Sequence, residues 1–112
     1  MDYILLVHLF HILIIGGLFL YVGIMKTKMP SFMYNLLIFV GIFLILYHSY
    51  KIYVKYLKGI NPWINYFHIF IVAPILIIIG LQKGKTPRYY FELLLMLAFA
   101  VIGYHSYYMF YN

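Results

Sequence analysis

Four long apolar stretches occupy most of this chain, at approximately residues 3–25, 32–53, 63–81 and 89–110. A helix rises ~1.5 Å per residue, so roughly 20 apolar residues cross a hydrocarbon core about 30 Å thick. Each stretch reaches or approaches that length. Only helices or closed barrels span lipid, and residues 75–79 are all Ile or Leu, without the alternation of barrel strands. The stretches therefore predict four transmembrane helices.

The composition excludes the soluble classes of protein. Hydrophobic residues make up 67% of the 112 residues and charged residues only 9%, whereas a soluble domain averages about 25% charged. A single domain of this size has too small an interior to hide so much apolar surface. A soluble enzyme, a disordered chain and a nucleic-acid binder are excluded, and the expected partner is the lipid bilayer. The chain has no cysteine, so it offers neither disulfides nor thiolate ligands.

Short connections join the stretches, at residues 26–30, 59–62 and 83–87. Links of this length force neighbouring helices to run antiparallel, in an up-down-up-down bundle. Pro30, Pro62 and Pro87 fit the first turn of the helix that follows each link, where the missing N–H breaks no bond. Pro74 lies in mid-span and predicts a kink in the third helix.

An internal repeat divides the chain into two halves. Shifting the sequence by 57 positions (from 11 to 68) aligns Phe-His-Ile at 10–12 with 67–69, Lys-x-Lys-x-Pro at 26–30 with 83–87, and Tyr-His-Ser-Tyr at 47–50 with 104–107. His8 aligns with Asn65, which breaks the symmetry. We therefore predict two hairpins, 1–57 and 58–112, within one compact domain. Both hairpins enter the membrane from the same side, so a pseudo-two-fold axis along the membrane normal relates them. The predicted fold is all-α, an antiparallel four-helix transmembrane bundle built from two parallel-related helical-hairpin repeats.

The basic residues predict an orientation. The formal net charge is +6, and the lysines and arginine collect near the ends of the stretches. The side that carries the first and third links, called the basic-loop side, has five of them: Lys26, Lys28, Lys83, Lys85 and Arg88. The opposite side, with both termini and the central link, has Lys51, Lys55 and Lys58. The positive-inside rule then predicts a multi-pass integral membrane protein with both termini on the non-cytoplasmic side.

Four histidines recur at one predicted depth. They come one from each stretch: His11, His48, His68 and His105. At ~1.5 Å per residue, His11 lies about 22 Å from the basic-loop side and His48 about 27 Å, and the repeat gives His68 and His105 matching depths. Ionisable groups within spans usually face the bundle interior and mark function. We therefore expect these four imidazoles to converge inside the protein as ligands of haem or a transition metal.

Haem b is the favoured cofactor. Two neutral imidazoles bind its iron axially and leave no open position, which suits electron transfer. Gly41 and Ala98 lie seven residues before His48 and His105, nearly two helical turns away on the same face, and would leave room for the porphyrin.

The choice of ligands stays open at this point. The repeat offers two symmetric axial pairs, His11 with His68 or His48 with His105, and the sequence does not distinguish between them. A metal ion bound by all four imidazoles, such as copper, iron or zinc, is the second form of the same hypothesis.

The chain resembles, in architecture alone, the haem-binding core of membrane b-type cytochromes. The resemblance rests on four helices, paired histidines and small residues beneath them, and no sequence signature assigns the chain to a family. Because the histidines supply a single level, it implies one haem rather than two. No Ser-His-Asp set, phosphate-binding glycine loop or carboxylate pair is present, so we predict a non-enzymatic electron carrier with a redox partner.

Two alternatives remain. The histidines belong to an aromatic belt at the membrane interface of a structural or assembly protein, viral or organellar. Otherwise, because histidine titrates near physiological pH, they gate a proton or ion channel. Four helices of this size close on themselves, so a channel would require a homo-oligomer.

Overall fold

The computed structural model describes residues 3–111. Among them it contains four helical spans long and apolar enough to cross a membrane, and no strand. They are span 1, Tyr3–Lys28; span 2, Phe32–Leu57; span 3, Trp63–Lys85; and span 4, Arg88–Tyr111. The prediction of an all-α chain with four membrane-length helices is confirmed, and it is consistent with a multi-pass integral membrane protein.

Spans 2 and 4 are single α-helices, whereas spans 1 and 3 change their winding. Each of the latter has an α-helix, a π-helical turn, a second α-helix and a closing 3-10 turn. In span 1 these are Tyr3–Phe10, His11–Ile15, Gly16–Met25 and Lys26–Lys28. In span 3 they are Trp63–Phe67, His68–Val72, Ala73–Gln82 and Lys83–Lys85. Each π-helical turn begins at a histidine, and the two turns lie 57 residues apart.

Pro74 lies two residues after the π-helical turn of span 3, in the first turn of the helix Ala73–Gln82. A proline there breaks no bond inside the helix that follows, because the first N–H groups of a helix have no partner within it. The equivalent position in span 1 is Gly17, and span 1 makes the same π-helical turn without a proline. A proline is therefore not required for this change in winding.

The three link prolines lie just before their helices rather than within the first turn. Span 2 begins two residues after Pro30, and the other two prolines directly precede spans 3 and 4. Each proline carbonyl accepts the N–H of the residue three positions later, at 3.0 Å in Met33, 3.0 Å in Asn65 and 3.2 Å in Tyr90. Span 2 ends at Leu57, and Gly59, two residues later, has a φ of 69°, the left-handed conformation that commonly follows a helix.

Spans 1 and 4 form the first of two compact units. A Cβ added to Gly16 would lie 2.8 Å from Ile102 Cγ1, and one added to Gly23 would lie 2.5 Å from Leu95 Cγ. Contacts thus descend along span 4 as they ascend along span 1, so these two helices run in opposite directions. Their buried side chains include Phe19, Val22, Phe91, Leu94 and Ala98.

Spans 2 and 3 form the second unit, residues 29–86. Here a Cβ at Gly41 would lie 2.6 Å from Ile77 Cγ1, and one at Gly80 would lie 2.6 Å from the backbone oxygen of Tyr34. These helices also run in opposite directions. Their buried side chains include Tyr34, Leu37, Val72, Leu76 and Ile79.

The boundaries of these units differ from those of the predicted halves. Among the described residues, the first unit joins span 1 to span 4, so each half of the sequence contributes one span to each unit. The division into repeats 1–57 and 58–112, and their assembly into one antiparallel bundle, stay predictions.

Two lysines adopt an unusual backbone conformation where spans 1 and 3 change from α-helix to 3-10 turn. Lys26 has φ 53° and ψ −128°, and Lys83 has φ 52° and ψ −127°. Glycine is the usual residue at positive φ, and another residue there costs on the order of 1–3 kcal/mol. The two lysines lie 57 positions apart, so the same local strain occurs twice.

Candidate histidine site

In the first unit, His105 contacts two other histidines, His8 and His11. The rings of His11 and His105 stack with centroids 4.3 Å apart and planes 18° apart. Nδ1 of His8 lies 2.8 Å from Nδ1 of His105, close enough for a hydrogen bond between spans 1 and 4. The predicted quartet residues His11 and His105 are therefore brought together here.

In the second unit, the other two predicted histidines form a matching stack. The rings of His48 and His68 have centroids 4.2 Å apart and planes 13° apart. The Asn65 side-chain amide donates from Nδ2 to Nδ1 of His48 at 2.7 Å, joining spans 2 and 3. Residues 57 positions apart thus make matching contacts in the two units. The exception is that the Asn65 amide of the second unit takes the place of the His8 imidazole of the first.

An aromatic neighbour packs edge-on against each stacked histidine. The preceding residue supplies it in all four cases: Phe10, Tyr47, Phe67 and Tyr104. The interplanar angles lie between 77° and 90°. All four histidines are half-buried, with their rings against other side chains of the same unit.

Two of the histidines are fixed by backbone carbonyl groups. Nδ1 of His11 donates to the Val7 carbonyl at 2.8 Å, and Nδ1 of His68 donates to the Ile64 carbonyl at 2.7 Å. A carbonyl only accepts hydrogen bonds, so a neutral ring carries its proton on Nδ1 and leaves Nε2 deprotonated. A deprotonated ring nitrogen, with the other nitrogen bonded to a backbone carbonyl, is the usual state of a histidine that binds a metal.

Both fixed histidines also begin π-helical turns. The carbonyl of His11 accepts the N–H of Gly16, and the carbonyl of His68 accepts that of Ala73, five residues later. Single π-helical turns within α-helices occur often at functional sites. His11 and His68 thus share two features: each begins a π-helical turn, and each side chain bonds to a backbone carbonyl. These two features distinguish them from the other residues of their spans.

The other two stacked histidines have different hydrogen bonds. The Asn65 amide donates to Nδ1 of His48, so the neutral His48 ring carries its proton on Nε2. Between His8 and His105 one Nδ1 donates and the other accepts, so these two rings hold different tautomers.

Asn65 has a second consequence for the second unit. Its side chain is buried, with 3% of the residue exposed, and Oδ1 has no hydrogen-bond partner. An unsatisfied buried acceptor costs about 1–3 kcal/mol. The Asn65 amide is therefore hydrogen-bonded through its nitrogen to His48, while its oxygen is buried without a partner.

The stacking limits how the histidines could bind a metal. The lone pair of an imidazole nitrogen lies in the plane of the ring, so a bound ion lies close to that plane. Two nearly parallel stacked planes share no such point, and each stack can supply at most one ligand to a given ion or haem iron. Among residues 3–111, no group of three or more His, Cys, Asp or Glu is placed to hold a metal ion.

The two axial pairs stay predictions. Each of them, His11 with His68 or His48 with His105, takes one residue from each unit, whereas the observed stacks lie within units. The small residues beneath them are packed against the partner span. Ile77 fills the space beside Gly41, and Ala98 is fully buried.

His8 and Asn65 were not among the ligands predicted from the sequence. The available signal was the alignment of two polar residues 57 positions apart, each one helical turn before a predicted ligand. Outside these clusters, Arg88 and Glu92 form an exposed ion pair at 2.8 Å, as expected for opposite charges four residues apart on a helix.

Comparison with known proteins adds no relative: no family model, no curated protein and no solved structure matches this chain.

Proposed function

We propose that this chain is a membrane protein that binds haem b or a transition metal through histidine and carries electrons. The observation that supports this most directly is the matched pair of bonds from Nδ1 of His11 to Val7 and from Nδ1 of His68 to Ile64. Both rings are held in one orientation, in the tautomer that binds metal through Nε2.

The geometry makes His11 and His68 better ligands than their stacked partners. His48 receives the Asn65 amide hydrogen at Nδ1, so its Nε2 carries the proton and has no lone pair to offer. His105 uses Nδ1 for its hydrogen bond to His8 rather than for one to a backbone carbonyl. In this proposal the partners pack against the ligand rings and hold them in place, which is a positioning role.

The donor set suits a metal ion more simply than a porphyrin. An ion needs only ring nitrogens, whereas the porphyrin was predicted to use space beside Gly41 and Ala98. Ile77 Cγ1 lies 2.6 Å from the position of a Cβ at Gly41, so a porphyrin there would have to displace that side chain. When bound, either group would supply one-electron chemistry, and a bis-imidazole iron would have no open position for oxygen.

The proposal keeps the predicted topology. Two hairpin repeats form an antiparallel four-helix bundle with both termini on the non-cytoplasmic side. In each unit, the histidine that is bonded to a backbone carbonyl serves as a ligand. An electron carrier of this kind also requires a redox partner.

Absorption spectra and metal analysis test the proposal. The protein, purified in mild detergent, should show a Soret band with sharp bands after dithionite reduction, or a stoichiometric metal by mass spectrometry. The double variant His11→Ala/His68→Ala should lose that signal. His8→Asn is the matched control, because it places at position 8 the residue found at the equivalent position 65, and it should retain the signal. A colourless, metal-free protein, or binding that survives the double substitution, would refute the proposal.

A structural role is the second candidate, and one observation favours it. His8 with His105 and Asn65 with His48 form side-chain hydrogen bonds between the spans of each unit. Such bonds within membranes contribute about 0.6 kcal/mol on average. If the purified protein binds no cofactor but His105→Phe and His48→Phe lower its thermal stability, the histidines serve to hold the spans together.

A further inference from the structure

The strained lysines Lys26 and Lys83 have no role in the proposed histidine chemistry. Each ends an α-helix, with its N–H bonded to the carbonyl of Val22 or Ile79, and each begins a single 3-10 turn. A second lysine follows two residues later in both turns, as Lys28 and Lys85. We call these two segments, 26–28 and 83–85, the lysine turns.

Glycine would remove the strain at either position, since it adopts positive φ at no steric cost. The second lysine turn contains a glycine, but at position 84, one residue after the strained site. Strained backbone that persists where an easier residue exists is a reason to look for a function. Here the strained residue is in both cases a cation.

The lysine turns also lack acidic neighbours. The chain has two acids, Asp2 and Glu92. Asp2 lies outside the described residues, and Glu92 bonds to Arg88 at 2.8 Å. Within residues 3–111 no acid pairs with a lysine of either turn. Lys28, Lys83 and Lys85 are exposed, so their charges face the surroundings of the protein.

The position of the turns indicates what those surroundings are. Spans 1 and 3 end at Lys28 and Lys85, where a helix of membrane length reaches the headgroup region. Phosphate groups of lipids lie at that level, and clustered lysines next to a membrane span attract anionic lipids. The headgroup phosphate of an anionic lipid is therefore the group of opposite charge that lies within reach of the lysines.

We infer that each lysine turn binds the headgroup phosphate of an anionic phospholipid. The positive φ of the first lysine sets the direction in which its side chain leaves the helix end, and the second lysine follows on the same short turn. The two turns act separately, one in each unit. This inference does not depend on whether the histidines bind a cofactor.

The test uses the full chain in lipid nanodiscs of phosphatidylcholine alone or mixed with phosphatidylglycerol, with the melting temperature as the readout. Phosphatidylglycerol should raise Tm of the original protein. Lys26→Gln/Lys83→Gln should lose that increment, and Lys26→Arg/Lys83→Arg should keep it. Lys26→Gly/Lys83→Gly should melt higher in phosphatidylcholine, because the strain is relieved, and should also lose the increment.

Lys51→Gln/Lys58→Gln is the matched control, since it removes two charges from the opposite side and should keep the full increment. Co-purified lipid, identified by mass spectrometry, provides a second measurement, in which phosphatidylglycerol should be enriched unless both strained lysines are replaced. Equal increments in the Lys26/Lys83 and Lys51/Lys58 glutamine variants would overturn the inference. So would an equal rise of Tm caused by inorganic phosphate in phosphatidylcholine discs, because the ligand would then be free phosphate rather than lipid.

Discussion

His8 in the first unit and Asn65 in the second lie 57 residues apart and hydrogen-bond to equivalent histidines, His105 and His48. The surrounding geometry is nearly the same, with ring stacks of 4.3 and 4.2 Å and histidine-to-carbonyl bonds of 2.8 and 2.7 Å. The units differ in what the partner side chain can do. Nδ1 of an imidazole donates or accepts depending on the tautomer, whereas an amide nitrogen only donates and an amide oxygen only accepts.

That difference has a physical consequence. In the first unit the His8–His105 bond uses Nδ1 of both rings. In the second unit the equivalent bond, from Asn65 to His48, uses Nδ2 of the amide, and Asn65 Oδ1 is buried without a partner. One exchange of residue type therefore fixes the tautomer of His48 and adds an unsatisfied acceptor, while the stacked rings keep their arrangement.

Substitutions at the close helix contacts of the two units should have the largest effect on stability. Gly80→Ala should cost about 3 kcal/mol, near the upper end for overpacking, because the new Cβ would lie 2.6 Å from the Tyr34 backbone oxygen. Gly23→Ala should cost less, about 1–2 kcal/mol, because its nearest contacts are with the flexible Leu95 side chain. Thermal unfolding in one detergent measures both.

Gly17→Ala is the control for these two substitutions. Apart from its own local backbone, nothing lies within 4 Å of a Cβ at Gly17. Alanine there should stabilise the protein by up to about 1 kcal/mol through helix propensity. If Gly80→Ala is as well tolerated as Gly17→Ala, the close approach of spans 2 and 3 is wrong.

A reciprocal exchange tests the difference between the clusters. His8→Asn should cost up to about 1–2 kcal/mol, because it introduces at a half-buried position the amide oxygen that lacks a partner in the second unit. Asn65→His should stabilise the protein by up to a similar amount, because it removes that oxygen. Melting temperatures that shift in the same direction for both variants would contradict the assignment of Asn65 Oδ1 as unsatisfied.

The two units share a hydrogen bond from a histidine ring to a backbone carbonyl. His11→Phe and His68→Phe each remove one bond to a backbone carbonyl and keep an aromatic ring for stacking. Each should cost about 0.5–1.5 kcal/mol, the net value of a hydrogen bond, and the two costs should be nearly equal. Unequal losses of Tm would mean that the rings are not equivalent.

In the unaltered protein, ¹⁵N NMR should show the proton on Nδ1 of His11 and His68 and on Nε2 of His48.

The helices could be predicted from the sequence because apolar length alone decides whether a segment can span a membrane. Their ends were less certain. The second stretch was expected to end near residue 53, whereas span 2 continues to Leu57. Lys55 and Tyr56 lower the hydropathy there, yet both have apolar stems and polar tips that suit a helix end near the headgroups.

The pairing of spans was not predictable by the same argument. Lipid is as apolar as leucine, so a span that is apolar on every side does not reveal which side meets another helix. The small residues carried that information. Gly23, Gly41 and Gly80 each lie where a neighbouring span approaches closely, although Gly41 was assigned to cofactor space.

The histidine site could be predicted only in part. Depth along the spans indicated that the histidines lie at one level, and the structure brings them together as two stacks, one within each unit. The stacking, the bonds to Val7 and Ile64 and the π-helical turns depend on side-chain rotamers and backbone winding. Packing decides those features, and residue spacing does not encode them.

The smallest expected effect concerns the one described ion pair. Arg88 and Glu92 are 78% and 53% exposed in their side chains, and exposed pairs of this spacing contribute about 0.3–0.5 kcal/mol. The positions 57 residues earlier are Ser31 and Asn35, so the second unit does without the pair. Arg88→Ser/Glu92→Asn gives the first unit the residues of the second, and Tm should fall by no more than that energy allows. Added salt should reduce even this difference, because it screens exposed charges. A larger, salt-resistant loss would mean that the pair is buried against another surface in the membrane.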